Sequence, residues 1–295
     1  MRKANGSIRA KRAVESVWSY SLLVVIAFVF LFPCVWLITS SFSSTGSIYD
    51  YVGFFPESFS FSTWIDLFTK KTPSCNYTVW LSNTFYVAIL SSVFSTILVI
   101  LTAYTMSRFR FKSRKLMMKM TLLFGIFPTF MNMTALFVIM TQLHLFNNLN
   151  GLIILYSCSA PIGYLTQKGF FDTIPNSIYD AARIDGANNF QVFVKMTLPL
   201  SKAMIVYTAL TSFTFPWSDF ILPQMLLGGN KNNYTVAIGL NEMTDDMFSL
   251  FAAGSVFIAV PIVILYFSLA KFLVNGVAAG PRKKQEGQEE RTNFE

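Results

Sequence analysis

The sequence predicts an all-α membrane protein with six transmembrane helices. Three observations lead there. The first is composition: of 295 residues, 53% are hydrophobic and only 13% are charged, against roughly 25% charged residues in soluble domains. The second is distribution. Residues 16–49, 72–107, 120–167 and 247–270 carry no formal charge, and residues 203–230 carry only Asp219. The third is asymmetry, because Lys and Arg gather in alternate connecting segments.

A helix needs about 20 apolar residues to cross the hydrocarbon layer. The first is expected at 20–42, after a tail over 1–19 that holds Arg2, Lys3, Arg9, Lys11 and Arg12. A basic start and an apolar core also describe a signal peptide. Here the core is long, contains Trp36 and lacks a small-residue cleavage site, so it is read as a retained helix. The second helix is expected at 82–106, before Arg108, Arg110, Lys112, Arg114, Lys115 and Lys119. The long run that follows is divided by His144, Asn147, Asn148, Asn150 and Gly151, which predicts helices at 119–141 and 151–171. The fifth is expected at 203–227 and the sixth at 248–273, so that a six-helix domain spans 20–273 and a tail follows over 274–295.

With the N-terminus inside, all of the 23 Lys and Arg except Lys70, Lys71 and Lys231 fall on inner segments. This positive-inside pattern places both termini and the loop over 172–202 in the cytoplasm. The region from Asp50 to Lys71 is expected outside. The net charge of +8 thus reflects topology and contact with anionic membrane lipid, and no nucleic-acid partner is indicated.

The loop at 172–202 is the most informative segment. Ala181, Ala182, Ile184 and Ala187 are expected to form a small apolar face, with Asp180, Arg183 and Asp185 polar. Gly186 has no Cβ and is free to turn the chain between two short helices. An amphipathic segment follows and ends at Leu198-Pro199. A compact helix-turn-helix on the positive side of a membrane suggests docking rather than catalysis.

These residues resemble the coupling loop of importer permeases of the ATP-binding cassette (ABC) superfamily. Asp180-Ala181-Ala182, Gly186, Met196 and Leu198-Pro199 stand at that pattern's spacing. Asp180 replaces its Glu and Met196 its Ile. The Asp side chain is one methylene shorter, whereas Met for Ile is a tolerable apolar exchange. Four further segments resemble carbohydrate-type permeases: residues 103–112, 169–175, 217–223 and 274–280. The chain is similar to the smaller six-helix subunit of the maltose/maltodextrin transporter.

The resemblance implies the type I ABC importer permease architecture in a bacterial inner membrane. It also implies partners: a second permease subunit, an ATPase dimer and an extracytoplasmic solute-binding protein. Asp180, Ala181, Ala182, Asp185, Gly186, Leu198 and Pro199 would couple to the ATPase. No GxxxxGK[ST] phosphate loop occurs in the chain. This chain is therefore expected to be no enzyme and to bind no cofactor, with ATP and Mg on the partner ATPase. The expected cargo is a sugar or oligosaccharide. A non-sugar solute is the alternative, and a secondary transporter a further one. The latter would be expected to show ionisable relays or inverted repeats, and neither is evident here.

Asp219 is the carboxylate set well inside a predicted span. A charge at that depth costs about 2.5–3.5 kcal/mol on insertion scales, so it should face protein or water. A role in holding helices together is favoured over a contact with sugar hydroxyls. Nearby Phe213, Phe215, Trp217 and Phe220 would stack on sugar faces or simply pack, and Phe213, Trp217, Asp219 and Phe220 are the candidate substrate path. Pro33, Pro128, Pro161, Pro216, Pro223 and Pro261 are placed in helix interiors. There each removes a donor and permits a bend, either around a moving path or in static packing. Cys34, Cys75 and Cys158 form no metal-binding spacing and His144 is the sole His, so no metal site is expected.

Overall fold

The computed structural model describes residues 2–44, 46–48, 54–56, 58–70, 75–126, 129–159, 161–243 and 245–292. Among the described residues the fold is helical. No strand forms, and one isolated bridge pairs Ser43 with Phe59. The helices are α1 (Arg2–Ser40), α2 (Ser62–Thr69), α3 (Tyr77–Arg108), α4 (Arg114–Ile126), α5 (Thr129–Gln142), α6 (Leu149–Cys158) and α7 (Pro161–Thr173). They continue as α8 (Asn176–Ile184), α9 (Asn189–Val192), α10 (Leu198–Leu200), α11 (Lys202–Ser218), α12 (Ile221–Leu227), α13 (Val236–Asn241) and α14 (Phe248–Thr292).

Among the described residues, four stretches are long and apolar enough to cross a membrane: Ser16–Ser40, Tyr77–Arg108, Leu149–Thr173 and Asp245–Ala270. Counting each of two bent pairs as one span gives six: Arg114–Ile126 with Met131–Gln142, bent by 107°, and Asn189–Leu200 with Lys202–Ser218, bent by 79°.

Two expected helices are corrected. The helix expected at 119–141 starts earlier, at Arg114, and is sharply bent. Pro128, assigned to its interior, lies outside the described residues, as do Asp50 and Lys71 of the expected outer region. The helix expected at 203–227 ends at Ser218; Asp219 is extended, at φ −78 and ψ 121, before α12 begins. Pro216 withholds a donor close to the end of α11, and Pro223 stands in the first turn of α12, where a missing N–H costs little. Pro161 is likewise the first residue of α7. Pro161 and Pro223 therefore lie in the first turns of their helices, while Pro33 and Pro216 lie inside α1 and α11.

The chain forms two compact units. Residues 1–71 with 243–257 form one. In it the Trp36 ring packs 5.3 Å from Phe248, and the Ile48 N–H donates to the Asp245 carbonyl at 3.0 Å. The most apolar stretch of Ser16–Ser40 buries none of its residues. Apolar on every side, it suits hydrocarbon as solvent.

Residues 72–242 with 258–295 form the second unit, centred on α3, which packs against α6, α7 and α11. Small residues allow the close approach: Ala88, Ser91, Ser92 and Ser95 are buried. The Ser92 hydroxyl donates to the Ala209 carbonyl at 2.7 Å, and the Ser95 and Ser212 hydroxyls lie 3.2 Å apart. At the start of α3, Trp80 rests on Gly239, where a Cβ would fall 2.0 Å from the ring. Its indole N–H donates to the Lys231 carbonyl at 3.1 Å. The expected break between α5 and α6 turns through His144 and Asn147, with φ of 57 and 56. The Asn147 N–H donates to the Leu226 carbonyl and its own carbonyl accepts from Asn233, which fixes that loop.

Candidate functional site

The segment over 172–202 is built from local capping signals. Pro175 disfavours helix at the residue before it, and α7 stops at Thr173. After α8, Gly186 adopts φ 81, the Gly186 N–H donates to the Arg183 carbonyl at 3.0 Å, and the Ala187 N–H donates to the Ala182 carbonyl at 2.9 Å. This paired closure is the Schellman arrangement, which needs a residue tolerant of the left-handed region. No atom lies within 4 Å of a Cβ built on Gly186, so the requirement is conformational rather than steric.

Asn188 then caps α9 in a reciprocal box with Gln191. A π-helical turn over Phe193–Thr197 follows, closed by the Leu198 N–H donating to the Phe193 carbonyl. Pro199 offers no N–H to the carbonyls one turn earlier, which favours the wider turn there.

Burial divides α8 differently from the expected face. Tyr179 and Ala182 are buried and share a cluster with Ile100, Ala103 and Tyr104 of α3, Phe171 and Ile174. Ala187 is half-buried, but Ala181 is exposed and Ile184 is 86% exposed. Tyr179 and Ala182 are three residues apart and share a side, whereas Ile184 falls elsewhere on the helical wheel. The outer surface therefore presents Asp180, Ala181, Arg183, Ile184, Asp185 and Phe190, with Arg183 and Asp180 ion-paired at 3.6 Å. Leu198 is half-buried and Pro199 exposed.

One residue at this corner, placed by the sequence among the inner-side charges and within the 103–112 resemblance, also joins helices. Arg108, last in α3, donates to Asn176 Oδ1 at 2.9 Å, to the Ile174 carbonyl at 3.2 Å and to the Phe171 carbonyl. Its guanidinium carbon lies 3.9 Å from the centroid of the Tyr179 ring. Beside it, the Ser107 hydroxyl donates to Asp172 at 2.6 Å, and Asp172 also pairs with Lys168. The Tyr179 and Thr197 hydroxyls lie 3.2 Å apart. A basic residue in the last turn of a long helix was the available signal, but its partners lie more than 60 positions away.

The second feature is a cleft of about 250 Å³ between α3, α6, α7 and α11. Its lining includes the hydroxyl-bearing side chains of Ser95, Thr166, Tyr207, Thr208, Thr211 and Ser212 beside the aromatic Tyr156 and Phe215. Thr208 donates to Oε1 of the fully buried Gln167 at 3.1 Å. Tyr156 meets Phe215 edge-on, centroids 5.4 Å apart. Phe213, Trp217, Asp219 and Phe220 do not line this cleft. Trp217 is buried, edge-on to Phe85 at 4.8 Å and 5.8 Å from Phe213. Asp219 is half-buried and accepts from Tyr156. The lining of α11 recurs at 208, 211, 212 and 215. Three of these four, Thr208, Thr211 and Ser212, put hydroxyls on one helical face, a pattern legible in the sequence.

Fold and site together define a helical membrane protein with an exposed helix-turn-helix segment beside the end of α3. Residues 95–278 match the family described as binding-protein-dependent transport system inner membrane component, and the chain belongs to that family. It is 32% identical to the galactooligosaccharides transport system permease protein GanQ of Bacillus subtilis (strain 168), over 94% of this chain and 98% of that one. It is 33% identical to the maltodextrin transport system permease protein MalD of Streptococcus pneumoniae (strain ATCC BAA-255 / R6), over 95% and 99%. The fold is shared with a bacterial ABC transporter involved in the import of the acidic polysaccharide alginate. The TM-score is 0.76 at 22% identity, covering 88% of this chain and 96% of that one.

Proposed function

We propose that this chain is one membrane-spanning subunit of an ATP-driven oligosaccharide importer and that α8 docks on a separate ATPase. The observation that carries the reading is the two-sided construction of α8. Its inner side is held to α3 through Tyr179 and Ala182, while Ile184 stands 86% exposed on its outer side. Exposed apolar side chains of this kind, rimmed here by Asp180, Arg183 and Asp185, suit a protein partner. ATP and Mg belong to that partner, and this chain hydrolyses no ATP.

The oligosaccharide class is supported by relatives named for galactooligosaccharides and maltodextrin that match along nearly the whole chain. The cleft suits such a cargo. Hydroxyl groups both donate and accept, as sugar hydroxyls do. The cleft's volume of about 250 Å³ falls below the roughly 300–1,000 Å³ of a complete small-molecule site. A second permease subunit would supply the facing wall, and a solute-binding protein would deliver cargo from outside. The basic exit of α3 and the docking segment share one end of the second unit, which positive-inside charge assigns to the cytoplasm along with both chain termini.

Reconstitution of the chain with its partner subunits tests this reading. ATP-dependent uptake of maltodextrins or galactooligosaccharides is the expected result. Uptake restricted to non-sugar solutes would overturn the cargo class, and uptake without ATP would overturn the importer.

A further inference from the structure

We propose that Arg108 is the positioning residue through which a displacement of α8 reaches the transport cleft. The proposal rests on α8 being the ATPase-docking element. A single guanidinium binds three pieces of chain here. It takes the Phe171 and Ile174 carbonyls at the end of α7, the side chain of Asn176 at the start of α8, and the ring face of Tyr179 one turn further on. Carbonyls at a helix end lack their full set of helical partners; the Phe171 carbonyl also accepts from the Ile174 N–H at 3.2 Å, and the guanidinium takes its remaining acceptor capacity. The planar guanidinium directs several N–H groups at fixed angles and stacks on an aromatic ring, which an ammonium does not reproduce.

The neighbouring polar contact does different work. Ser107 reaches Asp172 of α7 and leaves α8 untouched. Arg108 is thus where the end of α3 grips α8 by polar contact.

The rest of α3 suits a lever. Its 32 residues contain neither Pro nor Gly, the usual origins of a kink. Pro33 and Pro216 lie inside α1 and α11. Ser95 and Val99 of α3 line the cleft, and at 1.5 Å per residue Ser95 is about 20 Å along the axis from Arg108. A push on the exposed side of α8 is delivered through Arg108 and Tyr179 to the end of a stiff helix, whose middle forms a wall of the cleft.

The test uses the complete complex in proteoliposomes and reads solute imported per ATP hydrolysed. Co-purification of the ATPase and the thermal midpoint of the complex are followed alongside. Arg108→Ala and Arg108→Lys are expected to assemble, to hydrolyse ATP and to lose about tenfold in imported solute per ATP, within the usual range of coupling between sites. Tyr179→Leu should fall with them, and Tyr179→Phe, which keeps the ring face, should stay near wild type. A wild-type ratio in Arg108→Ala overturns the proposal. Should Arg108→Ala fail to assemble, Arg108→Lys decides by the same ratio. Should neither assemble, Arg108 is a scaffold residue and the proposal fails. A wild-type complex without ATP-dependent uptake would remove the importer reading itself, a result distinct from any change among the variants.

Discussion

The Tyr156 hydroxyl donates to Asp219 Oδ2 at 2.9 Å, joining α6 to the break between α11 and α12. The same Tyr156 ring forms part of the cleft wall and meets Phe215 edge-on. Asp219 thus holds a wall residue while standing outside the lining itself.

That pairing predicts a coupled effect on stability. Asp219→Ala leaves the Tyr156 hydroxyl without its acceptor, at a cost of about 1–3 kcal/mol. Asp219→Asn keeps an acceptor but loses the charge, so its cost should be smaller, about 1 kcal/mol. With Tyr156→Phe as the second arm of a double-mutant cycle, thermal unfolding of the complex should show non-additivity. Additive effects within about 0.5 kcal/mol would place the two residues in separate networks. Altered sugar selectivity at unchanged stability would assign Asp219 to the transport path instead.

Gly186 should rank its replacements by backbone conformation. At φ 81 an L-residue is strained, by roughly 1–2 kcal/mol, with Asn the best tolerated. Uptake by the complex should therefore fall in the order Gly186→Asn, Gly186→Ala, Gly186→Val, the β-branched residue being worst. Because no neighbour crowds the site, a loss that followed side-chain volume rather than tolerance of positive φ would refute this reasoning.

The two sides of α8 should separate stability from docking. Ala182 is 3% exposed, and Ala182→Leu would overpack its cluster, at about 1–3 kcal/mol. It should lower the thermal midpoint of the isolated permease. Ile184→Asp should leave that midpoint within about 0.5 kcal/mol of wild type, as for surface changes generally. It should instead deplete the ATPase that co-purifies. Full ATPase recovery with Ile184→Asp would rule out this surface as the docking face.

Topology is open to direct labelling. Lys112→Cys, in the basic loop after α3, should resist a membrane-impermeant maleimide in intact cells and react once the membrane is opened. Asn232→Cys, at the other end of α3 where Asn83 meets the Asn232 carbonyl, should react at once. The reverse pattern would invert the assigned orientation. The exposed native thiols Cys34 and Cys158 would be replaced by Ser in the background used.

Much of the fold was legible because hydrophobicity and capping are local. Long charge-free runs must become helices in a bilayer, since no other single segment satisfies its own backbone there. Gly186 with Leu198-Pro199 announced the turn and the end of the loop for the same reason: a positive φ and a missing N–H are properties of single residues.

What the sequence left open depends on contacts between residues far apart along the chain. Hydropathy alone joined residues 203–227 into one helix, and only the structure shows Asp219 extended between α11 and α12 with Tyr156 beside it. The orientation of Ala182 inward and Ile184 outward was decided by what α3 offers α8 to pack against. The residues of the cleft come from four helices, and no pattern within one of them reports the others. Arg108 shows the division most plainly. As a charge it marked the membrane side, because insertion responds to the local count of positive residues. Its grip on the Phe171 and Ile174 carbonyls, Asn176 and Tyr179 exists only once folding brings the end of α3 to the corner between α7 and α8.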